Sequence, residues 1–159
     1  MTRIPIRPVV VAAAAAASIA SLGALMTDIG AWYQGLAQPW WKPPDWAFGP
    51  AWTLIFALTA AAGVVAWRKA PNRQSREWML MLFALNAFLN VFWSLLYFRL
   101  HRPDWALIEV GFLWLSVLAL MLVIGRYAPL ARLLLVPYLV WIGFAAALNA
   151  ATVQLNGQF

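Results

Sequence analysis

The 159-residue chain contains no cysteine, which removes disulfides, thiol nucleophiles and thiolate metal sites from consideration. Histidine occurs once, as His101. One imidazole cannot fill a coordination shell, so no metal site is expected, and beside Arg99 and Arg102 it reads as a solvated loop residue. Charge is scarce as well. Only 10% of the residues are charged and 65% are hydrophobic, against about 25% and about 45–50% in a soluble domain. A soluble fold of this length would leave too much apolar surface facing water, so the bilayer is the better solvent. No Ser–His–Asp set, Walker loop or pair of deep carboxylates appears. The net charge of +6 sits in short clusters between apolar runs, where membrane topology places it, and this argues against nucleic acid as a partner.

What is present is a series of long apolar runs. A bilayer core about 30 Å thick takes about 20 helical residues to cross. Five segments qualify, near 9–26, 50–67, 78–97, 105–124 and 133–152. They are long for buried strands and carry no alternating pattern, so helices are favoured. The expected fold is all-α, an integral membrane bundle of five transmembrane helices in one domain spanning residues 1–159. Arg3 and Arg7 before an alanine-rich run resemble a secretory signal, but the run is longer than a signal's apolar region of about 7–15 residues. It also ends without a clear A-x-A site, so cleavage is not expected. With five spans, Arg3, Arg7, Arg68, Lys69, Arg73, Arg76, Arg126 and Arg132 fall on the N-terminal side and Lys42, Arg99 and Arg102 on the other. That asymmetry predicts a cytoplasmic N-terminus and an external C-terminus. It favours a bacterial inner membrane, with an outer membrane as the alternative.

At membrane depth the polar inventory is short. Glu109 is the one ionisable residue well inside a span. About one turn into its helix, it reads as an interfacial carboxylate reaching for water, and a proton relay would need partners that the spans lack. Asn86 and Asn90 lie four apart and share a helix face with Trp93 and Tyr97. Pro137, Trp141, Ala145 and Asn149 repeat that spacing on the last span. Such amides are expected either to bond neighbouring helices or to face a ligand. Small residues, Ala57 and Ala61 among them, are expected to let helices approach closely. Trp67, Trp78 and Trp105 mark span ends, where an indole is apolar with one polar N–H.

The connector of residues 28–49 is the long one, and it leads into the stretch "QPWWKPPDWAFGPAW" at 38–52. Its prolines stiffen the backbone, so rings mounted on it lose little entropy when held in place. The residues leave two readings, an interfacial belt or a lid over the bundle mouth. Trp40, Trp41 and Trp46, with Pro43, Pro44, Trp32 and Tyr33 nearby, favour the lid. Flat π surfaces beside a few neutral hydrogen-bonding groups suit a planar, mostly apolar ligand.

"WYQGLAQPWWKPPDWAFGPAWT" at 32–53, "NVFWSLLYF" at 90–98, "PYLVW" at 137–141 and "LN" at 148–149 together resemble the TspO/MBR family, whose members are called translocator proteins, tryptophan-rich sensory proteins or peripheral benzodiazepine receptors. The resemblance covers nearly the whole chain. It implies a five-helix bundle, commonly a homodimer in contact with membrane lipid, with a pocket beneath the first loop. It also implies porphyrin (protoporphyrin IX or haem) or another planar apolar ligand, and no obligatory cofactor. Carried over by motif position, the ligand-binding residues are Tyr33, Trp52, Asn90, Trp93, Trp141 and Ala145, with Asn86 and Leu148 as neighbours. Trp40, Trp41, Pro43, Pro44 and Trp46 belong to the lid. Two alternatives to a sensor or carrier stay open: a light-dependent porphyrin-degrading enzyme, with Trp52 and Trp141 as candidate catalytic electron donors, and a sterol- or lipid-binding transporter. Departures are Gln38 where a lysine is usual, Phe56 where a tyrosine is frequent, and a tail after Val153 without the tyrosine and basic residue of the sterol-recognition pattern. "LLYFR" at 95–99 fits that loose pattern.

Overall fold

Helices extend past the apolar stretches that predict them, because polar caps and interfacial arginines still belong to the helix. In the computed structural model, which describes residues 6–157 and 159, α1 is Ile6–Met26 and α3 is Phe48–Lys69. Arg3, counted above toward the N-terminal charge, lies outside those residues. Helix α4, Arg73–Ser94, begins where Asn72 Oδ1 accepts the Ser75 N–H at 2.8 Å, an N-cap in polar ground. Helix α5 is Pro103–Gly125, opening on a proline that needs no N–H partner. The connector holds one short helix, α2, Ala31–Gln34, and a 3₁₀ turn at Asp45–Ala47.

The last span is broken. Short α6, Pro129–Leu134, and α7, Val136–Asn156, meet at Leu135. Pro137 has no N–H to offer and its ring crowds the carbonyl four residues back, so a continuous helix cannot pass through it. Helix α4 ends in a wider π turn over Leu95–Arg99, where the Leu100 N–H reaches back five residues to Leu95 O at 2.9 Å. The extra residue per turn rotates Tyr97 and Phe98 relative to the helix before them.

Among the described residues, five helical stretches are long and apolar enough to cross a membrane. Neighbours run in the order α3, α1, α4, α5, α7, and α6 joins α3 to α5 at the end away from the connector. Helix α5 is the most deeply buried, packing Leu113, Val117, Leu120 and Ile124 against α4, α6 and α7. Helix α1 stands at the rim, and no residue of its apolar window is buried. The small residues that allow close approach on α3 are Ala62 and Ala66, both fully buried. Ala57 and Ala61 point outward instead, because the inner face of α3 lies about 100° from the one they share.

Three ties fasten the connector end. The Ala37 N–H donates to Asn156 Oδ1 at 2.8 Å, and Asn156 Nδ2 donates to Ala37 O at 2.9 Å and Thr152 O at 2.8 Å. Arg99 donates to Leu25 O at the last turn of α1. Tyr33 and Lys42 both bond Asp45. Asn156→Ala removes the two bonds across 119 residues of sequence, worth about 1 kcal/mol each at most in this exposed setting. The expected result is faster amide exchange at residues 36–47 with a nearly unchanged global melting temperature. Hydrogen exchange with mass spectrometry checks it.

Candidate ligand-binding site

Two hollows lie inside the ring of helices, and α5 lines neither. The connector-side hollow has a volume of about 430 Å³, within the range of about 300–1,000 Å³ usual for ligand sites. Helix α3 brings Phe48, Trp52 and Phe56 to it; α4 and its π turn bring Asn90, Trp93, Tyr97 and Phe98; α7 brings Trp141, Ala145 and Leu148. The connector closes it with Ile29, Tyr33, Gln38 and Asp45.

The rings brace one another. Trp52 stands edge-on to Trp141, with centroids 6.3 Å apart and planes at 85°, and stacks on Phe56 at 5.3 Å. Trp93 stacks on Tyr97 at 5.1 Å. Edge-to-face and offset pairs of this kind satisfy the ring quadrupoles, so the wall is rigid without polar groups. At the mouth, Tyr33 donates to Asp45 Oδ1 at 3.1 Å, and Lys42 pairs with the same carboxylate while sitting 5.0 Å over the Tyr33 ring. Burial and the neighbouring Asp45 carboxylate both raise the Tyr33 pKa, so its hydroxyl stays protonated and donating. His101 has a left-handed backbone (φ 53°) and stacks on Trp32 at 4.1 Å.

Of the residues carried over from the motifs, Tyr33, Trp52, Asn90, Trp93, Trp141, Ala145 and Leu148 come together around this hollow. Asn86 lines the other one. Trp40 is 95% exposed and Trp46 76% exposed, and neither they nor Trp41, Pro43 and Pro44 line a hollow. Trp41 instead packs on Phe144 outside the mouth, at 5.7 Å. Sequence reasoning missed Phe48, Phe98 and Asp45 as lining residues. The Lys42–Asp45 spacing was a visible signal for the last, whereas Phe98 enters only through the π turn.

The amides resolve into a web. Asn86 Nδ2 donates to Ser116 Oγ at 2.8 Å, the Tyr138 hydroxyl donates to Asn86 Oδ1 at 3.1 Å, and Asn90 Nδ2 donates to Tyr138 at 3.1 Å. Asn149, with its amide turned to satisfy both ends, donates to Pro103 O and accepts from the Leu107 N–H, each at 3.0 Å. So Asn86 and Asn149 serve helix–helix bonding, and Asn90 serves it while facing both hollows. Glu109 does not reach water. It is 5% exposed with both oxygens buried and unpartnered among the described residues, because it shares the inward face of α5 with Ala106 and Leu113.

Among the described residues no group of three or more His, Cys, Asp or Glu side chains is placed to hold a metal ion. The family model described as "TspO/MBR family" matches residues 9–155. Similar proteins include the "Tryptophan-rich protein TspO" of Chlorobaculum tepidum, 39% identical over 129 residues and 79% of each chain. The "Tryptophan-rich sensory protein" of Cereibacter sphaeroides is 36% identical over 143 residues, 90% of this chain and 87% of its own. The human "Translocator protein" is 29% identical over 119 residues, 74% of this chain and 70% of its own.

Tyr138→Phe deletes the hydroxyl shared by Asn86 and Asn90 while keeping the ring. The expected cost is about 1–3 kcal/mol, since buried amide groups lose partners that lipid cannot replace. Thermal unfolding in detergent, read by circular dichroism, checks it.

Proposed function

The chain belongs to the TspO/MBR family, and we propose that its connector-side hollow binds a flat tetrapyrrole, a porphyrin such as protoporphyrin IX or haem, in the service of a membrane sensor or carrier. One observation carries the reading. The lining of this hollow is aromatic over Phe48, Trp52, Phe56, Trp93, Tyr97 and Trp141, with the polar side chains of Tyr33, Gln38 and Asn90 among them. Ring-lined pockets with a few placed polar groups suit planar, mostly apolar ligands. A ligand that is apolar and planar over its face, with acceptors at its edge, suits that lining. A porphyrin's ring and carboxylates have that form.

Light-dependent breakdown of the porphyrin is the second reading. The Trp52–Trp141 pair favours it, since two oxidisable indoles 6.3 Å apart line the hollow. The same proposal sets the N-terminus in the cytoplasm of an inner-membrane protein. Its support is the cationic end formed by Arg7, Arg68, Lys69, Arg73, Arg76, Arg126 and Arg132. A homodimer belongs to it through the family resemblance.

Titration of protoporphyrin IX into the detergent-solubilised protein is expected to quench tryptophan fluorescence saturably. Trp52→Phe/Trp141→Phe should weaken binding roughly tenfold by removing indole faces from the wall. Equal affinity in the double variant, after correction for the lost fluorophores, overturns the assignment. Illumination of the saturated complex separates the two readings: breakdown predicts loss of the porphyrin band faster than with an unrelated micellar protein, and binding alone predicts the same rate.

A further inference from the structure

The second hollow, about 1070 Å³, lies between α1, α3 and α4 toward the end opposite the connector. We propose that it is a binding site for an anionic membrane phospholipid. One acyl chain lies in the hollow, and the phosphate rests between Arg7 and Arg76.

Shape is the first argument. Arg7 and Ile19 both line the hollow on α1, and twelve residues of helix rise about 18 Å. One leaflet of a hydrocarbon core about 30 Å thick is about 15 Å deep. The hollow therefore runs from the interface to near the midplane, the path of one acyl chain. Small residues keep it open, Ala12, Ala16, Ala60 and Gly63 among them. Val11 on α1 and Leu80 on α4 line it and are exposed, so it opens sideways, where a lipid enters without crossing water.

Charge is the second argument. No acidic residue lines the hollow. Arg7 lines its outer end, and Arg76 holds its guanidinium 5.1 Å over Trp67, another lining residue. Stacking on an indole fixes a guanidinium while leaving its N–H groups free for phosphate. Glu77, the acid next in sequence to Arg76, already pairs with Arg73 at 2.6 Å. Neither Arg7 nor Arg76 has an ion-pair partner among the described residues. Arg7 at the end of a leaflet-deep apolar hollow, with Arg76 held over its lining Trp67, matches a phosphate on a chain, and matches a zwitterionic headgroup less well.

Native mass spectrometry of the full chain in detergent tests this, with phosphatidylglycerol and phosphatidylcholine of identical acyl chains titrated separately. One phosphatidylglycerol should bind saturably, about tenfold more tightly than phosphatidylcholine. Arg7→Gln/Arg76→Gln should abolish the preference. Ala16→Leu/Gly63→Leu should weaken both lipids by filling the hollow. A Cβ at Gly63 meets only Phe83, at 3.8 Å, so the added bulk projects into open space. Glycerol phosphate should not displace the bound lipid. The proposal fails if wild type takes both lipids equally or without saturation. It also fails if the arginine pair leaves the preference intact, or if glycerol phosphate competes. The arginine pair is on exposed helix ends, so it decides the matter even if the cavity-filling pair does not fold.

Discussion

Where lipid surrounds the protein, a polar side chain must find its partner inside the bundle, and Tyr138 is where that requirement is met. Its hydroxyl accepts from Asn90 and donates to Asn86, which in turn donates to Ser116. One hydroxyl thereby ties α4, α5 and α7 together. Asn149 repeats the device at the connector end by bonding the first turn of α5. Without a hydrophobic force between helices in lipid, such bonds and close packing set which helices stay together.

Helices α1 and α3 lie outside that web. Apart from the Arg99 bond to Leu25 O at the end of α1, they hold to each other and to their neighbours by apolar contact, and α3 touches α4 and α7 only sparsely. Both hollows fall on this seam. The division of labour follows from chemistry: the hydrogen-bonded helices form a back wall, and the helices outside the web can stand off from it. At the connector end the gap is roofed by a loop with ties of its own, through Asn156 and Asp45. At the other end it stays open sideways. The buried, unpartnered Glu109 sits on the back wall, a costly placement for a carboxyl group that no hydrogen bond compensates.

The five spans were legible because length and hydropathy alone decide whether a helix can cross a bilayer. The stripe of Trp141, Ala145 and Asn149 was legible because four-residue spacing selects one face, and that face does meet the connector-side hollow. Tyr138 was not. It shares the inward face of α7 with Ile142 and Asn149, but four-residue spacing gives a face without saying which groups meet on it. Glu109 was misplaced by counting depth along the helix and not its rotation. The exposed Trp40 and Trp46 illustrate a different limit. A stiff loop with several indoles can aim them down or outward, and proline fixes φ without fixing which way the loop faces.

The larger hollow is walled in part by small side chains on α1 and α3. Leucines in place of Ala12, Ala16 and Ala60 together would narrow it, yet alanine stands at each position. The laterally open one faces hydrocarbon, and an acyl chain within it would supply dispersion contacts to its walls. The roofed one is walled largely by rings, with Tyr33, Gln38 and Asp45 on its connector side. Phe56 and Asn90 line both spaces. The partition between the two hollows is thus a single side chain thick, and Trp52 stacks on its Phe56.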